Sequence, residues 1–173
     1  DEGKRKFSDR ALEELVVFTK AVQEIVTTSV QVFQNEDLEL ARTVEPLEEV
    51  IDGLHMEVKR RHIRRLRKGK CTIELGFDLS DIGTDYERIS DHCSNIAVCL
   101  LQVTEDGFDT HEYLEMIKQE KNQEFEHAVE MYEMKYRLPK MKKSEEGEED
   151  RIESSFAAEH PVLLNVKAFG EES

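Results

Sequence analysis

The sequence predicts an all-α protein, an antiparallel helical bundle, and three observations carry that reading. Apolar residues at Leu75, Leu79, Ile82, Tyr86, Ile89, Cys93, Ile96 and Leu100 advance in steps of four and three, the near-3.5-residue period of a packed helix seam. Two segments before this seam and one after it repeat a helical spacing between capping and breaking residues. Charged residues make up 36% of the chain and Trp is absent, which suits helices with broad solvated faces. A chain of 173 residues is long enough for one domain with a real core.

The charge balance narrows the function classes. With 39 acidic against 24 basic residues the formal charge is −15, so the chain as a whole repels a phosphodiester backbone and no nucleic-acid partner is expected. Such a chain attracts cations. No run approaches the roughly 18–20 apolar residues of a membrane span, and the first residues have no signal-peptide pattern. Cys71, Cys93 and Cys99 are odd in number and lack metal-ligand spacing. They read as free thiols in a reducing cytosol, with Cys93 packed as a small hydrophobe.

In chain order, residues 1–6 are polar and charged and read as a tail or the cut edge of a larger polypeptide. Ser8 or Asp9 caps a first helix carrying Leu12, Leu15, Phe18 (or Thr19), Val22, Ile25, Val26 and Val30, expected to end near Phe33. The second helix runs through Leu40, Val44, Leu47, Ile51, Leu54 and Val58 to Leu66. Pro46 fits there in two ways: a start near Thr43 with Pro46 in the first turn, or a longer helix kinked at the proline. The helix closes in a basic run, residues 59–70, with eight Lys or Arg in twelve positions and no acid. Cations complement a helix C-terminus, and Gly69 is a natural residue to end it. Dipole complementation needs only two or three of them, so contact with anionic headgroups, a phosphate-rich ligand or an acidic partner is a second reading.

The third helix opens at Cys71-Thr72, holds the seam and continues to about Gln102. Asp109 or Thr110 caps a fourth, which stops at Leu138-Pro139 and is least apolar in its first half. The expected bundle therefore covers residues 7–138. Residues 139–173 begin with a charged, low-complexity stretch and read as a linker and tail, largely disordered. The short apolar run Pro161–Val166 within it is too isolated to place.

The chemistry-bearing residues are two acid pairs. Glu87 and Asp91 lie one turn apart on the third helix, almost opposite the seam and beside Gly83, Ser94 and Val98. Glu48 and Asp52 repeat the Glu-x-x-x-Asp spacing on the second helix, with His55 on the same side. Like charges about 6 Å apart mildly destabilise a helix, and a cation would relieve them; the plain alternative is a solvated acidic patch. Asp52 stands 17 residues before Gly69 and Asp91 22 after it, so at ~1.5 Å per residue their heights agree within about a turn and a half. Four carboxylates can then converge on a divalent or iron site of oxygen ligands, with His55 or His92 as nitrogen donors. His62 falls on the apolar side of its helix and reads as a packed core histidine. No nucleophile triad or Gly-rich phosphate loop is present. A carboxylate-bridged di-iron oxidase would need two Glu-x-x-His pairs; the chain has one, Glu124 to His127, and a looser Asp52 to His55. A metal-free helical interaction domain is the third alternative.

The segment Glu87-Arg88-Ile89-Ser90-Asp91-His92-Cys93-Ser94-Asn95-Ile96-Ala97 resembles the repeated E-R-[IV]-x-D-H-x-x-N-I-A segment of the PhoU family, and the likeness extends to Glu48–Asp52. Within that family the chain more closely resembles PhoU-like domains at the soluble end of sodium/phosphate cotransporter-type membrane proteins. Residues Arg61–Leu66, Gly69-Lys70-Cys71, Asp91–Cys99, His111-Glu112-Tyr113 and Tyr132–Leu138 carry that closer likeness.

The resemblance implies a three-helix repeat plus a fourth helix, working in phosphate uptake or its control as a non-enzymatic regulatory domain. It implies a divalent metal or iron cluster, with Glu48, Asp52, Glu87 and Asp91 as ligands and Asn95 as a further candidate. The implied partner is the membrane transporter portion of the same or another protein, at the cytoplasmic face of the membrane. A homodimer would supply the second metal site that one repeat lacks.

Overall fold

The structure, a computed structural model, describes residues 6–104 and 123–140. Five helices occur there: α1 (Asp9–Asn35), α2 (Leu38–Ala41), α3 (Val44–Arg67), α4 (Ile73–Thr104) and α5 (Gln123–Lys135). No strand occurs among the described residues, and the all-α reading holds. The chain divides into two units, Asp1–Leu138 and Pro139–Ser173; only residues 139 and 140 of the second are described. The tail expected beyond Lys140 and the expected start of the fourth helix at Asp109 or Thr110 lie outside the described residues.

Local chemistry sets the helix ends. Ser8 caps α1, its hydroxyl accepting from the Ala11 amide at 3.3 Å. The helix overruns Phe33 by two residues and closes on Glu36 in a left-handed conformation (φ 51°). Asp37 caps the single turn of α2, accepting from the Leu40 amide at 3.0 Å. A separate helix starts at Val44, with Pro46 in its first turn, where the missing N–H costs nothing. Leu40 thus belongs to its own short helix, and no kinked longer helix forms. Gly69 (φ 64°) follows the end of α3 in the conformation that glycine adopts without strain.

Three long helices make the core. Glu14 of α1 meets Arg61 and Arg65 of α3, and Thr19 meets Tyr86 of α4 (2.9 Å). Ser29, ten residues on from Thr19, contacts the carbonyl of Cys93. With Phe18, four residues on from Glu14, stacked on His55, earlier on α3 than Arg61, these pairs make α1 antiparallel to α3 and parallel to α4. Phe18, Ile25, Val32, Leu47, Ile51, Leu79, Ala97 and Leu101 are buried between them. α5 lies against α3, and beyond its end Tyr136 donates to Glu24 while Lys135 pairs with the same carboxylate at 2.5 Å. Burial, then that hydrogen bond, push the Tyr136 hydroxyl well above its usual pKa.

Rotation about the helix axes differs from the expected stripes. On α1, Leu12, Val26 and Val30 are exposed while Ala11 and Ala21 are buried. On α4, Ile89 and Ile96 of the expected seam are exposed, whereas Ser90, Ser94, Ala97 and Val98 are buried. The reason is size. Small residues let α1 and α3 approach α4 closely, and the larger isoleucines are left at the edge. Leu75, Leu79 and Cys93 keep their expected places in the core, with all three cysteines free.

Candidate functional site

The α3–α4 interface is a register of histidines on small residues. The His55 ring lies so close to Gly83 that a β-carbon there would meet ring atoms at 2.7 Å, and His62 stands over Gly76 at 3.0 Å. Each histidine is seven residues from the next on α3, and each glycine seven from the next on α4. At 3.6 residues per turn that is about two turns, so one contact repeats along the antiparallel pair. Nearer the start of α3, Ser94 donates to the buried Glu45 carboxylate.

His55 is held from three directions. Its ring stacks on Phe18 (centroids 6.3 Å, 16° between planes), and Phe18 meets Tyr86 edge-on at 5.0 Å. Nδ1 lies 3.1 Å from Glu87 Oε2. Glu87, expected almost opposite the packed seam, thus turns towards α3. Gly83, Ser94 and Val98, expected beside it, are buried.

From this fixed rung the positions of the other acids follow. Asp52 is three residues before His55 and Asp91 four after Glu87; in an antiparallel pair both steps run the same way, so the two residues stand level. Glu48 and Asn95 form the next level, about two turns from the His55–Glu87 contact. The expected agreement in height is therefore present. Side-chain convergence is not: among the described residues no three His, Cys, Asp or Glu side chains gather closely enough to hold a metal ion. Glu48 and Asp52 are half-buried, while Asp91 and Asn95 are exposed. Asn95 and His92 line an open apolar groove with Phe33, Ile96 and Val103. Glu124 and His127 stand on α5 without the ligand group that an oxidase would need among the described residues.

At the other end of the pair the basic run is partly internal. Glu14, only 1% exposed, pairs with Arg65 Nη1 at 2.7 Å and Arg61 Nη1 at 3.3 Å. Arg61 Nε also donates to Glu57 at 2.7 Å, as does Arg60. Burial raises the Glu57 pKa, but the hydrogen bonds from Arg60 and Arg61 outweigh it and hold the carboxyl below its usual value. His62 is buried, as expected. Burial and the nearby Arg65 lower its pKa, with Glu14 opposing. The Glu14 contacts escaped the sequence reading because an acid on an apolar stripe shows its partners only once the helix register is known.

Comparison with known proteins agrees with this architecture. Residues 17–100, from α1 to α4, match the family model described as the PhoU domain. The chain is 28% identical over 112 residues to the phosphate-specific transport system accessory protein PhoU homolog 1 of Thermotoga maritima. That alignment takes in 65% of this chain and 48% of the relative, so the chain spans about half the length of the curated relative it matches. No solved structure matches it significantly.

Proposed function

From the match of residues 17–100 to the PhoU domain we propose that the chain is a PhoU-family accessory or regulatory component of phosphate transport. The observation that carries the proposal is the coincidence of the matched residues with the α1–α3–α4 core and both acid pairs. The partner on this reading is the membrane portion of a phosphate transporter, in the same or another protein, met at its cytoplasmic face. No described helix is long and apolar enough to cross a membrane. Phosphate uptake in the source cells, with the chain deleted and then restored, tests the proposal. Uptake should lose its response to external phosphate and regain it on re-expression; unchanged uptake contradicts it.

The finer reading is that Glu48, Asp52, Glu87 and Asp91, with Asn95, hold a divalent cation or an iron cluster. Its support is the level placement of the acids on adjacent helices and their oxygen chemistry, which suits hard cations. Among the described residues no three such side chains are gathered, so on this reading the acids of α3 and α4 turn towards one another when the cation binds. Homodimerisation has separate support in the exposed apolar groove around Phe33, Ile96 and Val103.

A further inference from the structure

The basic run meets an exposed apolar surface at one end of the α3–α4 hairpin. Lys59, Ile63 and Leu66 of α3 line one cleft with Ile73, Phe77 and Ser80 of α4. Phe77 is 67% and Ile73 62% exposed; Ile63 and, on the same side of α3, Met56 are exposed too. Lys59, Arg60, Arg67, Lys68 and Lys70 are exposed around this end of the hairpin. Glu74, Asp78 and Asp81 lie farther round α4, roughly 140–180° from the direction of Gly83, against roughly 80–120° for Ile73 and Phe77.

We propose that this end of the α3–α4 hairpin docks on an anionic lipid surface, with Ile73 and Phe77 entering the headgroup boundary and the cations of residues 59–70 meeting lipid phosphates. Charge complementarity selects the occupant. Residues 59–70 hold eight cations and no acid in a chain of net charge −15. The rest of the molecule is therefore repelled by an anionic leaflet, and the field turns the hairpin end towards it. Exposed Phe and Ile beside Lys and Arg are the side chains that interfacial binding uses. Arg61 and Arg65, committed to Glu14 inside the bundle, and Arg60, paired with Glu57, contribute less. The proposal goes beyond the accessory role and stands or falls separately from it.

Co-sedimentation of the full chain with phosphatidylcholine vesicles, with and without phosphatidylglycerol, tests it. Binding is expected only to the anionic vesicles and should weaken with added salt. Lys59→Gln/Arg67→Gln should weaken it by on the order of tenfold or more. Phe77→Ser should weaken it several-fold at unchanged circular dichroism, while Lys20→Gln on α1 leaves it unchanged. Inorganic phosphate at matched ionic strength should not compete, which separates a headgroup surface from a free-phosphate site. Equal binding to neutral vesicles, no binding to either type, competition by phosphate, or equal loss in the Lys20 variant would overturn the proposal. No binding to either type would point to an acidic protein partner instead.

Discussion

His55 and Gly83 fix the spacing of α3 and α4: the imidazole occupies the space where any larger residue would place its β-carbon. Alanine at Gly83 gains up to about 1 kcal/mol of helix propensity but forces the ring off Phe18 and Glu87, and overpacking of this kind costs about 1–3 kcal/mol. Gly83→Ala is therefore expected to be net destabilising. Gly53 has nothing within 4 Å of its would-be β-carbon, so Gly53→Ala should stabilise by about 0.4–1 kcal/mol. Urea unfolding of the two variants checks the opposite signs.

Glu14 neutralises two arginines inside the bundle. Glu14→Gln leaves the largely buried Arg65 without its anion and Arg61 with Glu57 alone, and should cost about 3–5 kcal/mol. Glu57→Gln weakens local pairs of a partly exposed carboxylate within α3 and leaves Arg61 its contact with Glu14, so it should cost less, about 1 kcal/mol or below. Comparable losses in denaturant titrations of the two variants would contradict the assignment of Glu14 as the internal counter-charge.

Stability should depend on pH through His62. Its folded pKa lies below the ordinary 6.5, so the unfolded chain takes up this proton first as pH falls. The contribution is full above 6.5 and is lost as pH drops through that value towards the lowered folded one. Unfolding free energies measured between about pH 8 and pH 5 should decline, and His62→Gln should flatten part of the decline. An unchanged slope in the variant would show that His62 is not the titrating group.

Metal binding has its own test. Elemental analysis of protein purified without a His-tag or chelator should find stoichiometric divalent metal or iron. The metal should be absent from Glu87→Ala/Asp91→Ala, with circular dichroism confirming that the variant is folded. No metal in either protein after reloading would leave the acid pairs as a solvated surface.

Much of this architecture could be read from the sequence, and the failures share one cause. The three long helices, the Ser8 cap and the break at Gly69 follow from local chemistry and apolar spacing, whereas the separate turn of α2 was not expected and Pro46 fitted either of two starts for α3. Which side of each helix faces inward depends on its neighbours. Ile89 and Ile96 satisfy the seam's period, yet Ser90, Ser94 and Ala97 are buried because small residues permit the closer approach. The same rotation turns Glu87 from the expected solvent side to His55. The level placement of the two acid pairs was legible because it depends only on rise per residue and an antiparallel turn. Their side-chain directions were not.

On the proposed reading, the acids Glu48, Asp52, Glu87 and Asp91 on α3 and α4 form the surface through which the chain acts in phosphate transport. The most direct test of that reading is phosphate uptake in source cells lacking the chain, complemented with the wild type or with Glu48→Ala/Asp52→Ala/Glu87→Ala/Asp91→Ala, both shown to be folded and equally abundant. The account predicts that the wild type restores the response of uptake to external phosphate and the variant does not. Equal restoration by both would contradict it and place the function on another face of the bundle.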